Sequence, residues 1–185
     1  MGTAVVAIVV DHIPRDGDAI IISVSIAYGS VVSFETVHTR FFSIDSLESK
    51  NTSRRARRRQ KKEGDLNTNP RKGMSFADIA QKVNDVFREI DERYSGAVLV
   101  GDTARLLNIH MKRAGFGCIT RTFTGGRRFF IDLDSYQKKR TSEDVLKPFN
   151  FTALDYQVLY GPSWKAVREL LCVFEVVKAL SAIRE

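Results

Sequence analysis

Residues 4–10 read AVVAIVV, an unbroken β-branched apolar run that ends at Asp11. A strand with one face in water alternates polar and apolar residues, so a continuous run of this kind is the mark of a strand buried on both faces. After the turn-prone PRDGD (Pro14 to Asp18) come two further strand-like runs, AIIISVSIAYG and VVSFETVHTRFFSI, the latter bracketed by Gly29 and Asp45. Short turns between three consecutive strands predict an antiparallel meander.

The pattern then disappears. From Ser46 to Gly73 the chain is Ser, Asn, Lys and Arg, too polar to pack, and reads as a basic, disordered insertion at about 46–74. Residues 50–72 carry ten basic side chains, Lys50, Arg54, Arg55, Arg57, Arg58, Arg59, Lys61, Lys62, Arg71 and Lys72, against Glu63 and Asp65. That stretch is +8 in a chain of net charge +7, so the rest is close to neutral and attraction to an anionic polymer originates in one segment. With 185 residues, 43% of them apolar, the chain has the size of one domain, spanning 1–185 and interrupted by that insertion.

Order resumes at Ser75, an N-cap, with Phe76, Ile79, Ala80, Val83, Val86, Phe87, Ile90 and Tyr94 at helical steps as far as Gly96. AVLVG (97–101) predicts a short strand, and Asp102 or Thr103 caps a second helix bearing Leu106, Leu107, His110 and Met111. GCITRTF and RRFFIDL flank Gly125-Gly126 and predict a hairpin whose second arm joins the sheet. A short helix over 152–160 and a long one from Ser163 to about Ile183 close the chain. The long helix has a wide apolar arc that packs on the sheet, and its charged residues rule it out as a membrane span.

No apolar run reaches the roughly 20 residues of a membrane span, and the start MGTAVVAIVVDHIP lacks a basic leader, which argues against secretion and for the nucleus or cytoplasm. Cys118 and Cys172 stand far apart, outside any Cys/His cluster, and read as small core residues. No repeat, zinc, phosphate-loop or dinucleotide motif is present.

The order of elements, with VAIVVDHI, AVLVGDTARLLNIHMKRAGF, FFIDLDSY and GPSWKAVRELLCVFEVV at the corresponding places, resembles the DnaQ-like, DEDD-type 3′-to-5′ exonuclease family. The resemblance covers nearly the whole chain outside the basic insertion. It implies a ribonuclease H-like α/β fold, a mixed central sheet with an antiparallel three-strand meander, flanked by helices. In that family four carboxylates hold two divalent metals that activate water and stabilise the leaving oxygen.

Asp11 matches the first of these carboxylates, but Ile13 stands where the Asp-x-Glu motif needs its Glu. In the second motif Leu107 takes the place of the Asp, and Asp102, five residues earlier, is rotated by about 140° on a helix. In the third, Trp164 replaces the His and Glu169 stands for the Asp. Asp11, Asp102 and Glu169 are therefore vestigial candidates, no catalytic residue and no metal site is expected, and any residual metal would fall to Asp11 and Glu169. Read without the resemblance, Asp11 is first a turn residue and Glu169 a solvated charge, while His110 is a structural residue and Trp164 a core residue in the space of the absent imidazole.

The resulting expectation is a pseudo-exonuclease that acts by binding nucleic acid, RNA favoured over DNA, and needs no cofactor. The basic side chains from Arg54 to Lys72 are the expected phosphate contacts, with Arg127 and Arg128 added because they interleave with aromatic residues, although alternate strand positions explain that pattern as well. Two alternatives accompany this reading. One is a divergent exonuclease using Mg²⁺ or Mn²⁺ at Asp11, Asp102 and Glu169, with Asp132 or Asp134 completing the site. The other is a protein-interaction module in which exposed apolar residues of the last helix form a homodimer.

Overall fold

The computed structural model describes residues 2–15, 18–33, 37–44, 74–101, 103–122, 128–131 and 153–182. Five strands, β1 (Thr3–Arg15), β2 (Asp18–Ser30), β3 (His38–Ser43), β4 (Gly96–Val100) and β5 (Phe129–Ile131), form one sheet in the order β3-β2-β1-β4-β5. β1, β2 and β3 are the antiparallel meander, and β4 and β5 run parallel to β1. Helices α1 (Phe76–Arg93), α2 (Ala104–Arg113), α3 (Ala153–Tyr160) and α4 (Trp164–Ala182) complete the fold, with a 3₁₀ turn at Gly161–Ser163 leading into α4.

The opening strand is central and covered on both sides. Ala4, Val6, Ile8 and Val10 pack with Val24, Ile26 and Tyr28 against Ile79, Val83, Phe87 and Ile90 of α1 and Leu107 and Met111 of α2. Val5 and Ala7 face the other way, with Ala27 and Val100, against Ala166, Val167, Leu170, Val173 and Phe174 of α4. Two-residue periodicity thus sorts one strand into two cores. The register of β2 slips at Ile22, where Asp11 pairs with Ser23 and His12 with Ile21. This β-bulge switches parity, so Ile21 joins the same core as Val24 and Ile26.

α1 begins as expected at Ser75, in a capping box with Asp78. Its apolar stripe is buried, and Arg40 (3.2 Å) and Arg93 (3.0 Å) converge on Glu89 to tie β3 to the helix. Burial, with the Glu89 charge nearby, pushes the Tyr28 hydroxyl up to about 12. The third strand is shorter than its sequence pattern, because Val31–Ser33 form a turn and pairing begins only at His38. Residues 45–73, almost the whole expected insertion, lie outside the described residues. Met74, its last position, pairs with Ile44 and packs on the core.

The predicted hairpin is described only in part: residues 117–122 carry a single bridge residue, Arg121, rather than a strand, Gly115 and Gly117 take positive φ, and Asn108 Oδ1 of α2 accepts from Ile119 N at 3.0 Å. A backbone bond from Arg128 N to Thr120 O (2.7 Å) spans the gap between this segment and β5, and Gly125-Gly126 fall outside the described residues. Ala166, Val167, Leu170, Val173 and Phe174 of α4 pack on the sheet, and Leu171 and Cys172 pack with Tyr156 and Tyr160 of α3. Among the described side chains the large exposed apolar ones include Val158 and Leu159 of α3, and none belongs to α4. No helix among the described residues is long and apolar enough to cross a membrane.

Arg128 is the main electrostatic tie of this half. Its guanidinium donates to Ile119 O (2.6 Å), Arg121 O (2.8 Å), Phe87 O (3.3 Å) and Asp91 Oδ2 (2.7 Å) and lies 4.4 Å from the Phe87 ring centroid. Both side chains of the ion pair are almost fully buried, so removing the cation leaves a carboxylate in the interior without its main counter-charge. Arg128→Met is expected to lower unfolding free energy by about 3 kcal/mol in urea titrations; an unchanged midpoint would refute the assignment. Gly101 marks a second critical point, since at its φ of +114° a Cβ would lie 2.3 Å from Ile8 O. Gly101→Ala should cost at least about 2 kcal/mol by the same measurement.

Candidate functional site

β4 pairs with β1 only as far as Ala7↔Val100. Beyond it Gly101 lets the chain turn close against β1, and the Thr103 hydroxyl takes over the next rungs, accepting from Val10 N (2.8 Å) and donating to Ile8 O (3.4 Å). Thr103 therefore does not use its side chain to cap α2, as the sequence pattern had it. It ties the start of α2 to β1 one residue before Asp11.

Asp11 continues the Val5, Ala7, Val9 series, on the side of the sheet that α4 covers. Its Oδ2 accepts from Ser23 Oγ at 2.9 Å, across the strand pair and beside the bulge. Its Oδ1 accepts from Lys165 Nζ at 3.0 Å, in the first turn of α4. Ser25 Oγ donates to Pro162 O (3.3 Å), which holds the start of α4 over β2. The ion pair is half-exposed, Lys165 33% and Asp11 43%, so it opens to solvent and stabilises the fold little.

The other family positions are distributed differently. Leu107, at the second-motif carboxylate position, is fully buried in the core beneath α2. Ile13 is half-buried on β1, opposite Ile20. Trp164 packs with Tyr156 and Cys172 between α3 and α4 and lies 5.1 Å from the Arg168 guanidinium, so it belongs to the helix pair. Burial pushes the neighbouring Cys172 thiol up to about 12, which makes it unreactive. Glu169 stands 4.0 Å from Arg168, and His110 lies edge-on to Phe76.

Of the expected phosphate contacts, Arg128 is corrected: its side chain is 2% exposed and engaged internally, so it cannot reach a phosphate. The residues Arg54, Arg55, Arg57, Arg58, Arg59, Lys61, Lys62, Arg71, Lys72 and Arg127 lie outside the described residues, as do Asp102, Asp132 and Asp134. Three site residues, Lys165, Ser23 and Thr103, escaped the sequence reading. Ser23 and Ser25 were signalled by the alternation in ISVSIA, whereas Lys165 stands among ordinary helix charges and becomes visible only when α4 is placed over β1.

The two-metal arrangement implied by the family does not fit the described residues. A hard divalent ion needs several oxygen ligands. Asp11 offers one carboxylate with both oxygens engaged, one of them by an ammonium. Among the described residues no three His, Cys, Asp or Glu side chains could hold a metal ion together.

The sequence matches no protein-family model, and no curated protein matches it either. Solved structures do. The chain is similar to a 3′-exonuclease studied for 3′-end-specific recognition of histone mRNA stem-loop, with TM-score 0.59 and 12% identity over 97% of this chain and 82% of that one. It is also similar to exonuclease I in complex with an inhibitor, TM-score 0.53 and 9% identity over 95% of this chain and 42% of that one. The Escherichia coli exonuclease I complex with a dT13 oligonucleotide matches at TM-score 0.50 and 10% identity, over 95% and 39%. This chain thus spans less than half the length of exonuclease I, and what it shares with these proteins is the fold: a mixed α/β sheet flanked by helices, of the kind found in 3′-exonucleases.

Proposed function

We propose that this chain is a DnaQ-like, ribonuclease H-like exonuclease domain that has kept the scaffold, lost the reaction, and acts by binding nucleic acid, with RNA favoured over DNA. The observation that carries the proposal is Asp11, whose two carboxylate oxygens are engaged by Ser23 and Lys165. The replacements Ile13, Leu107 and Trp164 support the same reading, since each puts an apolar side chain where the family chemistry needs an oxygen or an imidazole.

Binding rests on the charge run. Eight net positive charges within residues 50–72 are a phosphate-binding segment by composition, inserted between β3 and α1 of a single domain. The same run suits nuclear import and fits a nuclear or cytoplasmic place of action. The preference for RNA draws on the neighbour whose name includes a histone mRNA stem-loop, 82% of whose chain is covered. A protein partner held by the scaffold is compatible with this reading and needs no metal.

Nonspecific phosphate contacts make binding fall steeply with salt, by roughly 0.7 log units per log unit of salt for each contact on a single strand. Changing Arg54, Arg55, Arg57, Arg58 and Arg59 to Ala is expected to lower the slope of log affinity against log salt by about 3 for single-stranded RNA, with the far-UV circular dichroism unchanged. Fluorescence anisotropy at several salt concentrations checks this, and an unaltered slope would contradict it.

A further inference from the structure

Beyond the loss of ligands, the site has gained something. We propose that the Lys165 ammonium is the resident cation of the Asp11 site and that it keeps divalent metal out. Lys165 Nζ lies 3.0 Å from Asp11 Oδ1, so one oxygen through which a metal would bind already faces a positive charge. Ser23 Oγ occupies the other at 2.9 Å, which orients the carboxylate towards the amine.

The amine is held there by the backbone beneath it. Ala166 and Val167, the next two residues, are fully buried against the sheet, and Ser163 is buried on the other side. The Ser25–Pro162 bond fixes the preceding turn to β2. The first turn of α4 therefore keeps the Lys165 side chain within reach of Asp11, and an arriving Mg²⁺ or Mn²⁺ meets a like charge within a few ångströms of the oxygen it needs. Removing the amine while keeping the carboxylate should therefore raise the affinity of Asp11 for a divalent ion.

This inference rests on reading Asp11 as the remnant of a metal ligand, but its test involves no nucleic acid and can fail independently of the binding proposal. Trp164, the single tryptophan of the chain, adjoins Lys165 and reports on the site. Mn²⁺ is titrated onto the full chain, reading Trp fluorescence quenching and thermal midpoint, for the native sequence, Lys165→Ala and Lys165→Gln. Both positions are half-exposed, so the substitutions leave the fold intact, and two different replacements guard against a local packing effect. The native protein should show no saturable response. Each Lys165 variant should bind Mn²⁺ at least about tenfold more tightly than the native chain, and adding Asp11→Asn should abolish the gain. A saturable native response that Asp11→Asn removes, or identical titrations for the native and Lys165 variants, would overturn the proposal.

Discussion

Burial of β1 on both faces is the constraint from which the rest of the structure follows. Because α1 and α2 cover one face and α4 the other, each residue from Ala4 to Val10 is assigned to a core by its parity. Asp11 is the first position at which the α4 face can hold a charge, and it lies where α4 begins. Its half-exposed carboxylate meets hydrogen-bond donors on the two elements that flank it. β2 supplies Ser23 and α4 supplies Lys165, so the composition of the site is a consequence of how the sheet is covered.

Scaffold and chemistry separate cleanly in such an arrangement. The positions that make the fold, including the Gly101 turn, the Thr103 tie to β1, the Arg128–Asp91 pair and the two cores, do not depend on the carboxylates that a metal-dependent nuclease requires. Leu107 illustrates the exchange. An Asp there would have to be buried with a counter-charge, whereas a Leu adds apolar area to the core beneath α2.

Much of the fold was legible in the sequence. The unbroken run 4–10, the capped stripe from Ser75 and the long apolar arc after Gly161 each announced an element whose type and place agree with the structure, because each rests on a periodicity that tertiary contacts reinforce. The errors have equally physical sources. GCITRTF has the composition of a strand, but Gly117 at positive φ and a side-chain tether from Asn108 to Ile119 keep its described part, residues 117–122, from forming one. Arg128 carries a charge that composition assigns to the surface, and only its four bonds and the Phe87 ring reveal an interior role. Asp11 was singled out by the resemblance, since its place after a strand alone reads as a turn residue, whereas Lys165, 154 residues away, could be joined to it only through the packing of α4 on β1.

The central claim is that an exonuclease fold persists here without exonuclease chemistry, and end-labelled single-stranded RNA and DNA test it directly. Incubated with the purified chain in Mg²⁺, Mn²⁺ or EDTA and resolved on a sequencing gel, the strands should remain full length in every lane while shifting on a native gel regardless of EDTA. Metal-dependent shortening from the 3′ end, abolished by Asp11→Ala, would contradict the account and show that carboxylates such as Asp102 and Glu169 have rebuilt the site.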